Sequence, residues 1–222
     1  MSRAGQDRVE ALLRSMTWDE KLAQIQVVFK PDPAQLERRV RAGAGAIFWP
    51  RSAAAVNALQ RIAVEQTRLG IPLLVGLDVI HGQRTIAPTP LAMAASFDPD
   101  TVECTARLAA AEAASGGVNW TFSPMIDVSR DPRWGRVVEG FGEDPYLNAV
   151  MGAAMIRGYQ GDDLRAPGSI AATAKHFAGY GHAEGGRDYN SADMSEHQLR
   201  NVYLEPFRVA TAAGVAAVMA AF

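Results

Sequence analysis

Residues 72–78 read Pro72-Leu73-Leu74-Val75-Gly76-Leu77-Asp78, an apolar run opened by proline and closed by a carboxylate. Leu73 to Leu77 carries no polar residue, so it suits a strand covered on both faces, as strands of parallel sheets are. Upstream, Ser52 caps a helix running through Val56, Leu59, Ile62 and Val64, which Gly70 ends before Pro72. Downstream, Asp98-Pro99 supplies an N-cap with proline at the first helical position. That helix runs to Gly116-Gly117 and leads into a further apolar run, Val118-Asn119-Trp120-Thr121-Phe122.

The same unit repeats on both sides. Val9, Leu12, Leu13 and Met16 lie at helical spacing. Thr17-Trp18-Asp19-Glu20 then reads as a capping box opening a second helix with Leu22, Ile25 and Phe29. After Pro31 and Pro33 a short helix carries Leu36 and Val40, and Gly43 to Trp49 is the first strand expected. Asp144-Pro145 opens a helix that closes near Gly161. A polar linker from Asp162 to Gly168 then leads to a fourth strand, Ile170 to Ala174. A second capping box, Ser195 to Gln198, opens a helix with Leu199, Val202, Tyr203 and Phe207, kinked at Pro206 and ended by Gly214. The fifth strand, Val215 to Ala221, reads as buried. Strands alternating with helices demand parallel pairing with helical crossovers, so the fold class is α/β. Polar residues gather at Asp78, after Phe122 and at Lys175-His176, all at carboxyl ends of strands, where barrels and doubly wound sheets alike bind ligands. No Gly-x-Gly-x-x-Gly or Walker loop follows any strand, which favours the barrel.

Among 222 residues, 48% are apolar and 21% charged, with a net charge of -2, which leaves no electrostatic footprint for a nucleic acid or an anionic membrane. Cys104 is the single cysteine, so no intrachain disulfide forms, and it reads as a small core residue. Met1 to Arg8 lacks the apolar core of a secretory signal, which points to a cytoplasmic location unless the natural N-terminus differs.

Three constellations carry chemistry. The first is Gly76-Leu77-Asp78-Val79-Ile80-His81-Gly82-Gln83-Arg84, with a carboxylate at a strand tip that can accept two hydroxyl hydrogen bonds or cap the next turn. The second runs from Ser123 to Pro145, with Asp127, Arg130, Asp131, Arg133, Trp134, Arg136, Glu139 and Glu143 among Gly and Pro. Guanidinium forks and an indole face suit a hydroxyl-rich ligand, although most of these charges are expected to pin the loop by internal ion pairs. The third is Lys175-His176-Phe177 with the Gly-rich loop that returns Arg187 toward the same mouth. A metal held by His176, His182 and Asp188 is the rival reading, but no recognised ligand spacing is present and Lys and Arg would repel a cation.

Asp78 within Gly-Leu-Asp-Val-Ile-His-Gly, the block Asp131-Pro132-Arg133-Trp134-Gly135-Arg136 followed by Glu143-Asp144-Pro145, and Lys175-His176-Phe177 resemble the N-terminal barrel of family 3 glycoside hydrolases, in order and spacing, from about Met16 to Phe222. The resemblance is nearest to bacterial β-glucosidases. It implies hydrolysis of β-linked glucosides or related glycosides with retention of configuration, on a (β/α)8 TIM-type barrel followed by further domains, without a cofactor. It further implies that Asp78, Arg136, Lys175, His176 and Arg187 hold sugar hydroxyls in the first subsite, while Arg133 and Trp134 shape the loop.

A retaining glycosidase needs two carboxyl groups about 5–5.5 Å apart. The resemblance implies a nucleophilic Asp and an acid/base Glu from later in the chain, beyond Phe222, so no catalytic residue is expected within this sequence. Residues 1–222 are thus read as one incomplete barrel domain: leading helices over 1–42, then about five of eight strand-helix units over 43–222. Such a barrel takes about 250 residues, so the piece is expected to be inactive and marginal until the rest of the enzyme completes it. Two other readings stand beside this one: a non-catalytic sugar-binding remnant, and an unrelated barrel enzyme using Lys175 as a Schiff-base amine.

Overall fold

The computed structural model describes residues 3–29, 32–48 and 52–222; Pro31, Trp49 and the first two residues of the sequence reading lie outside the described residues. The chain divides into two compact units, one of residues up to Leu77 with Gly116–Val118, the other of Asp78–Ser115 with Asn119–Phe222.

The first unit runs α1 (Arg3–Ser15), α2 (Trp18–Gln24), β1 (Val27–Phe29), α3 (Pro33–Arg41), β2 (Ala46–Phe48), α4 (Ala53–Glu65) and β3 (Leu74–Leu77). The Thr17 capping box forms, with the Thr17 hydroxyl accepting from Glu20 N–H and the Glu20 carboxylate accepting from Thr17 N–H. Ser52 caps α4 as expected, but that helix ends at Glu65, before Gly70. The second helix does not reach Phe29. It stops at Gln24, and Val27–Phe29 pairs parallel with Ala46–Phe48, which pairs parallel with Leu74–Gly76. The β-branched pair Val27-Val28 gains a ladder of backbone hydrogen bonds there, and this outweighs the helical spacing of Leu22, Ile25 and Phe29. Among the described residues the strands therefore number six, one more than the sequence suggests.

The core of this unit is Val40, Ile47, Val56, Ala63, Leu73 and Val75, with Val28, Leu36, Leu59 and Ile62 packed around it. Each fully buried aliphatic side chain contributes about 1.5–3 kcal/mol. Gly45 is required where β2 begins: a Cβ there would lie 2.0 Å from the Gln24 carbonyl oxygen.

The second unit runs α5 (Pro90–Ala94), α6 (Pro99–Ser115), β4 (Trp120–Thr121), α7 (Pro145–Gln160), β5 (Thr173–Phe177), α8 (Glu196–Gln198), a π-helical turn over Leu199–Tyr203, α9 (Glu205–Ala212) and β6 (Ala217–Ala220). Asp144 caps α7 through Leu147 N–H, and Gly161 closes it with positive φ. A stripe of small residues on α6, Ala106, Ala109, Ala110 and Ala113, is buried. A Cβ on Gly158 of α7 would lie 2.5 Å from the Ala106 Cβ, so the two helices approach as closely as side chains allow.

Three strands and one helix here differ from the sequence reading. The apolar run at Val118–Phe122 forms only a two-residue strand, Trp120–Thr121. The fourth strand expected at Ile170–Ala174 lies three residues later, at Thr173–Phe177, so Lys175 and His176 belong to the strand itself. The helix from Ser195 is not one kinked helix; a π-helical turn interrupts it, and Pro206 sits in the first turn of α9, where its missing N–H breaks no bond. The last strand alternates between half-buried and exposed residues, with Val218 49% exposed, instead of being fully buried. β6 nevertheless pairs parallel with β5, with a register shift between Lys175 and Phe177. Cys104 is exposed, not a core residue, because the buried face of α6 is carried by its alanines.

Candidate functional site

Three segments of the second unit converge on β5. Residues 123–126 run beside it as an irregular strand: Thr173 N–H donates to Ser123 O, Lys175 N–H to Pro124 O, and Ile126 N–H to Lys175 O. The stretch after Asp78 is anchored where Val79 N–H donates to the Thr121 hydroxyl at 3.1 Å and Val79 O accepts from the Tyr159 hydroxyl. Tyr159 also meets Ser123 Oγ at 3.1 Å, and burial pushes its phenol well above the usual range. The loop after β5 folds against residues 127–128 because position 181 is glycine: a Cβ there would lie 2.4 Å from Val128 O.

This scaffold brings Asp78 and Lys175 together across 97 positions of sequence, with Lys175 Nζ donating to Asp78 Oδ1 at 3.0 Å. The Lys175 side chain is 4% exposed and that of Asp78 38%, so the pair is sealed at the ammonium and open at the carboxylate. Asp78 thus presents an oxygen to solvent while held at a fixed position, the geometry of a hydroxyl acceptor.

His176, 1% exposed, turns to a different carboxylate. Asp127 Oδ2 accepts from the His176 backbone N–H at 3.0 Å and lies 2.8 Å from His176 Nδ1. Burial pushes the Asp127 carboxyl up, against the pull of the His176 donors. Tyr180 meets the imidazole edge-on at 5.0 Å, and Phe222 lies tilted against it at 5.4 Å.

Arg136 clasps Glu139 with its fork, Nε to Oε1 at 2.7 Å and Nη2 to Oε2 at 2.8 Å, and lies over the Tyr180 ring at 5.5 Å. Burial opposes ionisation of Glu139, but Arg136, with Lys175 and His176 near by, outweighs it and holds the carboxyl below its ordinary value. Glu139 pushes the guanidinium further up. Asp188 accepts from the Tyr180 hydroxyl at 2.5 Å and from Trp134 Nε1–H at 3.0 Å. These donors, Tyr180 first, pull Asp188 down, while burial and donation to Asp188 push the Tyr180 phenol up to about 12.

The structure therefore gathers Asp78, Lys175, His176 and Arg136 around β5. Arg187 is not tied to this group: it is exposed, lies against Gly185, and makes no side-chain hydrogen bond or ion pair among the described residues. Arg133 is held by Asp131 and Trp134 is buried, so both shape the loop as expected. His182 meets the Tyr203 hydroxyl and Asp193 O, away from His176, and no three His, Cys, Asp or Glu side chains converge among the described residues. Two site residues were not singled out for the roles they take. Glu139 is the carboxylate that faces Arg136, and the i, i+3 spacing could have shown it. Asp127 reads in the sequence as part of a loop-pinning ion pair, whereas its partner in the structure is His176.

Residues 17–222 match the family described as "Glycosyl hydrolase family 3 N terminal domain". The chain is 43% identical over 217 residues to the "Periplasmic beta-glucosidase" of Salmonella typhimurium, covering 96% of this chain and 28% of that protein. It is 41% identical over 165 residues to a "Beta-xylosidase" of Formosa agariphila, covering 68% of this chain and 23% of that one. A β-glucosidase of Listeria innocua solved with laminaribiose superposes over 100% of this chain and 33% of its own, with TM-score 0.91 and 41% identity; its glucose complex does so with TM-score 0.89 over 97% of this chain and 33% of its own. The fold is that of the TIM-barrel-like first part of such enzymes, and the chain spans about a quarter to a third of these proteins' length. On the strength of the family match across residues 17–222, the chain belongs to the glycosyl hydrolase family 3 N-terminal domains.

Proposed function

We propose that this chain is the sugar-binding part of a retaining β-glucosidase, and that residues 1–222 act as one incomplete barrel domain. Asp78, Lys175, His176 and Arg136 would take the hydroxyls of the first sugar, with Arg187 joining them from the loop after β5. The observation that carries the reading is the Asp78–Lys175 pair, a fixed carboxylate open on one side at a strand tip. The relatives are consistent with it: the Listeria innocua enzyme was solved with glucose and with laminaribiose, and the Salmonella typhimurium relative is a β-glucosidase.

The carboxyl pair of the double displacement would come from parts of the relatives' length that this chain does not span. Each carboxylate near β5 is already engaged: Asp78 by Lys175, Glu139 by Arg136, Asp188 by Tyr180 and Trp134, and Asp127 by His176. Burial pushes Asp127 up, but it is 3% exposed and so out of reach of a glycosidic oxygen. The purified chain should then bind glucose weakly and saturably by NMR titration, lose that binding in Asp78→Ala with its circular dichroism retained, and leave an aryl β-glucoside intact. Turnover persisting in the pure chain, or glucose binding indifferent to Asp78→Ala, would overturn the reading.

A further inference from the structure

We infer that Asp127 is a positioning residue that fixes the His176 imidazole as its Nδ1–H tautomer, leaving Nε2 as an acceptor for a ligand hydroxyl. The inference deepens the sugar-binding reading and rests on it for the identity of the ligand. Its basis is the paired contact on one oxygen. The His176 backbone N–H can only donate, so Asp127 Oδ2 accepts at 3.0 Å, and on this inference the ring nitrogen 2.8 Å from that same oxygen donates to it as well. Backbone and ring of one residue are thereby clamped on one acceptor, which sets both the tautomer and the ring plane.

Two further observations favour a role beyond packing. Among the described residues Asp127 Oδ1 is buried without a hydrogen-bond partner, so this carboxylate is held by its Oδ2 contacts to His176 alone. Among the described residues His176 Nε2, by contrast, makes no hydrogen bond. The clamp therefore ends on a nitrogen left free for something outside the fold. Every element around the ring agrees with one orientation. Tyr180 stands edge-on to it, Phe222 lies tilted against it, Lys175 precedes it in β5 and turns to Asp78, and Arg136 and Glu139 neutralise each other beside it.

The inference is tested in the 222-residue chain by long-range proton–nitrogen correlation spectra of the histidine rings, assigned with His176→Gln. The wild-type spectrum should show His176 protonated at Nδ1 and bare at Nε2. Asp127→Asn should keep that pattern, because its amide oxygen can take the Oδ2 position and accept both N–H groups. Asp127→Ala should release the ring to the Nε2–H form and weaken glucose binding by about tenfold, equivalent to about 1.4 kcal/mol, while the Asn variant stays within about threefold. A merely structural Asp127 would alter the melting temperature without moving the nitrogen shifts. Nε2–H in the wild type, which needs no variant to fold, overturns the inference, as does a tautomer unchanged in Asp127→Ala. If wild-type glucose binding is absent while the tautomer follows Asp127 as stated, the sugar-binding reading fails and the positioning role stands.

Discussion

Breaking the Asp78–Lys175 pair from its two ends should give unequal losses of stability. Asp78→Ala strands an ammonium whose side chain is 4% exposed, whereas Lys175→Met strands a carboxylate that is 38% exposed and can hydrate in place. Removing one partner of a fully buried pair costs about 3–5 kcal/mol, and the open carboxylate side lowers that through solvent screening. The expected losses are about 2 kcal/mol for Asp78→Ala and about 0.5–1 kcal/mol for Lys175→Met. For a chain of this size each kcal/mol moves Tm by about 2–4 °C, so calorimetry near neutral pH should show falls of about 4–8 °C and about 1–4 °C. The double variant should lose less than the sum, because no unpaired charge remains buried; the coupling should be about 1 kcal/mol or more. Equal losses from the two single variants, or strict additivity in the double, would refute the argument that the ammonium is the sealed end.

Two further outcomes follow from local geometry. Gly181→Ala places a Cβ 2.4 Å from Val128 O, a backbone atom, and should cost about 1–3 kcal/mol with weakened glucose binding, while Gly135→Ala, which meets nothing within 4 Å, should leave the melt unchanged. Glu20 is held at about 2, first by its hydrogen bond to Arg68. A depressed carboxyl pKa stabilises the fold fully above its unfolded value of about 4.3, and that stabilisation drains away as pH falls toward 2. Carbon NMR of the side-chain carboxyls should place the Glu20 midpoint near 2 and Arg68→Ala should move it up toward the ordinary value; an ordinary midpoint in the wild type would contradict the pairing.

Local chemistry was readable wherever one turn of chain determines it. The caps at Thr17, Ser52 and Asp144 need only a side chain and the N–H groups two or three residues on, and each forms where expected. The alternation of helix and strand likewise gave the parallel α/β class. What sequence could not show depends on neighbours far along the chain. Val27–Phe29 has helical spacing behind it and becomes a strand only because Ala46–Phe48 offers an edge. β5 lies three residues later than its apolar content suggests, since the ladder to residues 123–126 sets its position. For the site, the residue types at Asp78, Arg136, Lys175 and His176 stood out, and Lys175 beside Asp78 is legible from the sequence, but Glu139 as the partner of Arg136 and Asp127 as the partner of His176 are not. The Asp127–His176 contact spans 49 positions and had no local signature.

Lys175 and His176 are consecutive, yet one is bonded to Asp78 and the other to Asp127, carboxylates from two different segments. The alignment of β5 is therefore enforced chemically as well as by its ladder. A one-residue slip in one direction would set His176 opposite Asp78 and Phe177 against the walled-in Asp127, and in the other would set Ala174 opposite Asp78 and Lys175 against Asp127, losing both contacts either way. An insertion or deletion within Thr173–Phe177 should thus be far less tolerated than one in the exposed linker at Asp162–Gly168. Anyone grafting this strand into another barrel would have to carry both carboxylates with it.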